Sequence, residues 1–494
     1  MVVGLMLNTL SYCKPAIAAV TGLLLAGCAT VAPPEYRGNV QWCYEHLQSA
    51  AHGEAGPGNE RAFYRPDEQP WFVIRRLPAD FDPSDLSVAA LSEWRVRVVD
   101  DSRRELAARQ QRTMGRVLPA SQECLLELAE ATPIERWQSY VEDARGYDLY
   151  RDWQRWLGLY PVTSAVVSWR IRSAQQRWRE AYGGPFSQPA ITWSADTQSA
   201  PTPQVAGWLS AAYQSSALGL PRLTADQLAH LFAVHAPEVE VLQQTAADLL
   251  GSVQVEAGEV VFSAEPSVVY FKPMYTRYRG EYLLQLSYTL WFEQRPKSWF
   301  LDIYGGRWNG VTWRVTLGTD GEPLWYDSMH NCGCYHQVWL SHEHQPRADI
   351  GREEPLFLPY DWLGRPRLTL DSGTHHVRRV VTADAPSDRA QAAHQHYRLE
   401  PYDTLLQLPG EEGFHSLFDD TGMLPASVRR ERLLLWPFGV RSPGAMRRLG
   451  THTIAFVGKR HFDSPTLFAE LIEPAGSEGA EPPREPCERD SISC

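Results

Sequence analysis

Basic runs are missing from this chain of 494 residues, and no apolar stretch is long enough to cross a bilayer, which takes about 20 residues. Lysine and arginine number 47 against 59 aspartates and glutamates, a formal net charge of −12. Without a positive face the chain lacks the attraction to phosphate on which nucleic-acid binding rests, so no nucleic-acid partner is expected. The commonest catalytic signatures are missing as well. Gly458-Lys459 is followed by Arg460 and has no glycine five residues before Gly458, so it is not a phosphate-binding loop. Ser442, in Gly439-Val440-Arg441-Ser442-Pro443-Gly444, misses the spacing of a nucleophile elbow by one residue. His342-Glu343-His344 does not place two histidines one helical turn apart, as a zinc protease helix requires. No internal repeat is present.

What the chain does have begins at its start. Lys14 is the only charge in residues 1–30, and an apolar run from Ala16 to Leu25 follows it. A positive residue, a short apolar run and small residues together read as a secretory signal. Initiation at Met6 would give it a more ordinary beginning. The segment Leu25-Ala26-Gly27-Cys28 resembles the lipobox of bacterial lipoproteins. The resemblance implies a diacylglyceryl group on the Cys28 thiol, cleavage before Cys28 and acylation of the new amine. Ala29, rather than Asp, favours the outer membrane in such lipoproteins. The expectation is a signal peptide over 1–27 and a soluble body in the cell envelope, anchored to the membrane by lipid on Cys28 and facing the periplasm.

Hydrophobic residues make up 44% of the chain and charged residues 21%, which describes a globular protein. The spread of 18 tryptophans predicts large aromatic cores in preference to sugar-stacking platforms. Residues 28–183 read as helical. A start is expected at Asp82-Pro83-Ser84-Asp85, with Leu86, Leu91, Trp94 and Val98 on the inner face. A second start of capping-box type falls at Thr132-Pro133-Ile134-Glu135, and a third helix covers Val166 to Trp178. Residues 184–237 read as a Pro/Ser/Thr-rich linker and a short helix begun by Thr224 with Gln227. From 238 the period changes to two, as in Leu284, Leu286, Tyr288, Leu290 and Phe292, and in Val311, Trp313, Val315 and Leu317. The fold class expected is α+β: a helical N-terminal part, a mainly antiparallel β body with flanking helices over 238–472, and a disordered tail over 473–494.

Directly after the hairpin signal comes His330-Asn331-Cys332-Gly333-Cys334-Tyr335-His336. Fully extended, its four candidate ligands would span about 20 Å, too far to surround one ion. Gly333 allows the chain to fold back. Thiolate with imidazole suits zinc or copper, and Cys332, Cys334, His330 and His336 are the candidate ligands, with His342 and His344 completing the shell. His375, His376, His394 and His396 lie nearby in sequence, and eleven of the 15 histidines fall between 330 and 461. The spacing is not that of structural zinc sites. Pairing is the alternative, because exported cysteines are usually oxidised. Cys43 with Cys124 and Cys487 with Cys494 are possible pairs, leaving Cys332 and Cys334 to each other, to a metal or as redox-active thiols. A Cys-x-Cys disulfide closes a small ring and would be readily reduced.

A second candidate region, 435–463, holds Arg441, Arg447, Arg448, His452, Lys459, Arg460, His461 and Asp463 among Gly and Pro. It could hold an anion, or His461 could act as a base oriented by Asp463; a basic loop surface is the plainer reading. The run from Leu283 through His336, together with LLLWPFGVRSPGAMR and FVGKRHFD, resembles an uncharacterised family of proteobacterial envelope proteins. That resemblance implies that 238–470 belongs together and carries over no activity or site. Three roles remain open, the first two being a noncatalytic structural or assembly lipoprotein with an envelope protein partner and a transition-metal site that could serve hydrolysis. Thiol–disulfide exchange at Cys332 and Cys334 is the third.

Overall fold

Helices come first, as the spacing of apolar residues predicts. The computed structural model describes residues 39–51, 61–186, 188–196, 202–350, 355–384 and 393–476. All lie in one compact unit, Tyr36–Cys494; a second unit, Met1–Glu35, is outside the described residues, and so are Cys28 and the tail cysteines Cys487 and Cys494.

The helices α1 (Val40–Ala51), α2 (Arg76–Ala79), α3 (Val88–Met114), α4 (Pro119–Ala131) and α5 (Ile134–Gly146) enclose a core that includes Trp94, Val98, Leu125 and Trp137. A Cys43–Cys124 disulfide ties α1 to α4. Helix starts differ from expectation in register. Ser87, not Asp82, caps α3, its hydroxyl accepting from the Ala90 amide at 3.2 Å, while Asp82 closes a preceding turn onto Ser84. Thr132 belongs to the end of α4, its hydroxyl donating to the Leu128 carbonyl at 2.6 Å, so α5 begins after Pro133 without a side-chain cap. Next come α6 (Asp152–Leu157) and α7 (Tyr160–Ala181), the latter starting six residues before the expected Val166.

The segment expected as a linker holds a strand, β1 (Ala190–Ala195), buried at all six positions. Its sequence, AITWSA, is too short to show a period, and the prolines around it dominate the local signal. Helices α8 (Thr202–Ser215) and α9 (Ala225–Val234) follow. The capping box of α9 is present: the Thr224 hydroxyl accepts from the Gln227 amide at 3.2 Å, and the Gln227 side chain accepts from the Thr224 amide at 2.9 Å.

Strand β2 (Glu238–Leu242) precedes a hairpin of β3 (Ser252–Glu256) and β4 (Glu259–Ser263). A meander then runs through β5 (Val268–Tyr278), β6 (Glu281–Arg295), β7 (Gly306–Leu317), β8 (Pro323–His330) and β9 (Gln337–Leu340). Further strands are β10 (His344–Pro346), β11 (Leu356–Pro359), β12 (Pro366–Leu370), β13 (Val377–Thr382), β14 (Ala393–Pro401), β15 (Leu408–Gly410) and β16 (Gly413–His415). Short helices α10 (Arg432–Leu435) and α11 (Leu467–Leu471) and strand β17 (Ile472–Pro474) complete the described chain.

Eleven of these strands form one sheet in the order β11-β9-β8-β7-β6-β5-β14-β1-β2-β12-β13. The fold is α+β, and the sheet is mixed. Its centre is an antiparallel meander, while β14 joins β5 on one side and β1 on the other by parallel pairing. Both faces are covered. Leu286, Tyr288, Trp313 and Trp339 pack under α8 and α9, and Trp291, Trp308, Trp325 and Met329 pack under the C-terminal segment with Phe462 and Phe468. The tryptophans thus build aromatic cores on both sides of the sheet.

Candidate functional site

The site grows from the end of β8, where pairing with β7 stops at Val311 opposite His330. The chain then folds back on itself. The Gly333 amide donates to the His330 carbonyl at 2.7 Å, and the His330 amide to the Cys334 carbonyl at 2.9 Å. Gly333 has φ of 90°, and a Cβ there would sit 2.5 Å from the Thr453 carbonyl oxygen, so the turn requires glycine for conformation and for space. Asn331 fastens the turn. Its side chain donates to the Leu290 carbonyl at 3.1 Å and accepts from the Thr312 hydroxyl at 2.8 Å. Its carbonyl accepts from the Arg447 amide at 2.7 Å and lies 3.1 Å from His452 Nε2. Across the ladder a Cβ at Gly310 would overlap the Asn331 amide.

The turn brings two thiols together. Cys332 is buried, Cys334 is half-buried, and neither is in a disulfide. The Cys334 thiol donates to the Cys332 sulfur, which is the largest influence drawing the Cys332 pKa below that of an ordinary thiol; Arg429 and Arg447 act in the same direction against the effect of burial. Cys334 is pushed up by the same contact and by burial. Both arginines are themselves buried. Arg429 donates to the Trp308 carbonyl at 2.9 Å, and Arg447 to the carbonyls of Arg441 and Ser442. Burial pulls the Arg447 guanidinium down to about 10, and the two thiols oppose that pull.

A carboxyl group completes this core of the site. Glu431 is buried, and its pKa is raised to about 7, first by burial and then by Cys332. It can therefore hold or release a proton near neutrality beside the sulfur pair. A wall of rings closes the other side. Tyr335, held at φ of 60°, lies 4.7 Å from His330 and 5.6 Å from His376 between ring centroids, and Trp178 packs on both Tyr335 and His376. Both ring nitrogens of His330 and of His376 are buried without a hydrogen-bond partner. Burial lowers both imidazoles, His376 to about 4, so both are neutral at pH 7. Arg295 lies alongside Tyr335 and over Tyr304, whose ring centroid is 5.5 Å away.

Other expected site residues go elsewhere. His336 points to the opposite environment, with Nε2 3.0 Å from Asp327, whose carboxylate receives two hydrogen bonds from the buried Arg314 at 2.7 and 2.8 Å. His342 is exposed, and His344 packs against Tyr278 and Trp325. Among the described residues no three or more His, Cys, Asp or Glu side chains are grouped to hold a metal ion. The structure gathers the two thiols and leaves His336, His342 and His344 apart. His461 is paired with Asp148 at 3.3 Å rather than with Asp463, whose carboxylate accepts hydrogen bonds from Arg76 at 3.0 and 3.1 Å. Arg441 serves the site through its carbonyl, which holds Arg447.

Searches against family models, curated proteins and solved structures find no match to this chain.

Reasoning from the sequence missed Arg295, Arg429 and Glu431. Each lies in a segment with its own local charge pattern, and only tertiary packing turns them inward. The basic region 435–463 gave a usable signal, since it contributes Arg447 and His452 to the turn's surroundings.

Proposed function

We propose that this is a cell-envelope lipoprotein, tethered through lipid on Cys28, whose folded body carries a dithiol redox centre at Cys332 and Cys334. The observation that carries the redox reading is the pair of adjacent free thiols with a lowered Cys332 and a carboxyl group titrating near neutrality beside it. In the reaction class meant, the two thiols lose two electrons and two protons and close a disulfide, and an exchanging disulfide takes both up and leaves as two thiols. The Cys332 thiolate or its partner supplies the nucleophile, Arg429 and Arg447 stabilise the thiolate, and Glu431 takes up the proton that leaves the second thiol. Zinc or copper at the same sulfurs is the competing use of the pair. A second reading, a noncatalytic structural or assembly role, is favoured by a broad exposed apolar surface described below.

The decisive experiment equilibrates the protein in glutathione buffers poised from about −300 to −150 mV and traps free thiols with a maleimide. Cys332 and Cys334 should pass together from labelled to unlabelled, with Cys43 and Cys124 unlabelled throughout. Labelling that ignores the poise would remove the redox assignment. A bound equivalent of zinc or copper, lost in Cys332→Ser, would replace it with a metal site.

A further inference from the structure

Helix α7 is built inside out. Its buried positions are Ser164 and Ser168, while Val162, Val166 and Trp169, spaced by four and three along the same helix, point to solvent and are 58 to 66% exposed. A helix laid on a protein core turns its apolar stripe inward, so this stripe has a different destination. Helix α6 extends the same character with Trp153 and Trp156, the latter 79% exposed.

Two remote segments join this surface. The turn after α10 packs on α6 and α7: the Arg151 amide donates to the Gly439 carbonyl at 2.7 Å, Arg155 to the Phe438 carbonyl at 2.8 Å, and the Tyr160 and Phe438 rings lie 6.4 Å apart. That segment exposes Leu433, Leu434 and Trp436. The Glu431 amide, at the head of α10, donates to the Ile303 carbonyl at 3.3 Å and so fixes the 299–304 loop beside it. This loop exposes Trp299, Leu301 and Phe300, the last again 79% exposed. Single exposed apolar residues are ordinary, but apolar tips converging from three segments are not.

Cations gather on this face, and the exposed Asp152 of α6 is paired with Lys459 at 2.8 Å. Arg170 and Arg172 follow Trp169, with the Arg170 guanidinium 5.3 Å from the Trp169 ring centre. Lys297 precedes the loop, and Arg430 and Arg432 flank the buried Glu431; all five cations are exposed. The acid of the loop, Asp302, is held by the amide and hydroxyl of Ser298 at 3.0 and 2.9 Å. On a chain of net charge −12 this is a cationic, tryptophan-tipped surface.

We propose that this face seats on a bilayer surface carrying anionic headgroups, with the tryptophans and Phe300 entering the interfacial layer and the arginines and Lys297 meeting headgroup phosphates. Tryptophan at the lipid boundary and cations at headgroup level are the combination that lipid interfaces select. An anionic surface also repels the rest of this acidic body, so the cationic face alone is attracted and sets the orientation. The inference depends on neither the thiol chemistry nor the lipid on Cys28.

It can therefore be tested on a chain beginning at Ala29, which keeps every described element and all apolar clusters. The probe is flotation with vesicles of phosphatidylcholine alone and with about a quarter phosphatidylglycerol. The expected result is co-flotation with the anionic vesicles, weakened by salt. The combined variant Trp156→Ser, Trp169→Ser and Phe300→Ser should lower vesicle partition by at least about tenfold with little change in the melting curve, because all three side chains are mostly in water. As a second arm, Arg170→Glu with Arg172→Glu and Arg432→Glu should abolish the preference for anionic vesicles while the fold is kept. Absence of flotation with either vesicle, or flotation that both variants leave intact, would overturn the proposal. A dimer that the triple Ser variant dissociates would overturn it as well, by assigning the face to a second copy.

Discussion

Glu431 has an ordinary carboxyl pKa of 4.5 when the chain is unfolded and is raised to about 7 in the fold. A raised folded pKa means the native state binds the extra proton, so this residue's contribution to stability is fully present below about 4.5 and is lost as the pH rises through about 7. The difference in melting temperature between the parent and Glu431→Gln should therefore change across that window and level off above it. Thermal melts of both proteins at a series of pH values read this directly; parallel curves would mean that Glu431 keeps an ordinary carboxyl pKa and is not held in a buried environment. His376 works in the reverse sense. Its lowered pKa, about 4, makes protonation costly to the fold, so stability falls as the pH drops from the ordinary 6.5 towards that value. Subtracting the Gln variant isolates the carboxyl group from this imidazole background.

At the scale of the element, β8 carries the site because Arg314 of β7 and Asp327 of β8 lock the two strands together in the core, with side chains 1% and 0% exposed. Arg314 also donates to the Phe462 carbonyl at 2.8 Å and lies over that ring. Removing one partner leaves the other charge buried and unmatched, so Asp327→Asn should cost about 3 to 5 kcal/mol of folding stability in denaturant titration. A loss under about 1 kcal/mol would mean that water reaches the pair. The period-two pattern of β6 and β7 was legible because those strands are long, and each offers alternate residues to two different covering layers. The capping box of α9 was legible because its residues are adjacent in sequence. Strand β1 was not, since six residues between prolines show no period. The Cys-Gly-Cys turn could be read from Gly333, but its cations could not: Arg429 and Arg447 reach it across 97 and 115 residues, counted from Cys332, and no local pattern encodes such an approach.

For the whole molecule, the proposed membrane face and the proposed thiol chemistry meet in one short segment. Glu431 borders the sulfur pair and opens α10, whose next residues belong to the exposed apolar face. A body seated on that face would present its thiols close to the bilayer. Anchoring by Cys28 predicts that Cys28→Ala moves the protein from the membrane to the soluble periplasmic fraction in high-salt lysis; at low salt the cationic face should retain part of it. Fractionation with labelled palmitate checks both, and palmitate uptake that survives the substitution would remove Cys28 as the anchor.

The sheet itself has a seam. Strand β14 is hydrogen-bonded to β5 on one edge and β1 on the other, and β1 and β14 are some 200 residues apart in the chain, as Ser194 and His394 show by meeting across it. An emerging polypeptide would deliver β1 long before its partner. The early strand pairs with β2 on one side, but its other edge would stay open until the late one arrived, and such long-range pairing is slow. Synthesis of the chain would thus be nearly over before the two halves could become one sheet, and the interval between them is when a holding chaperone would matter most.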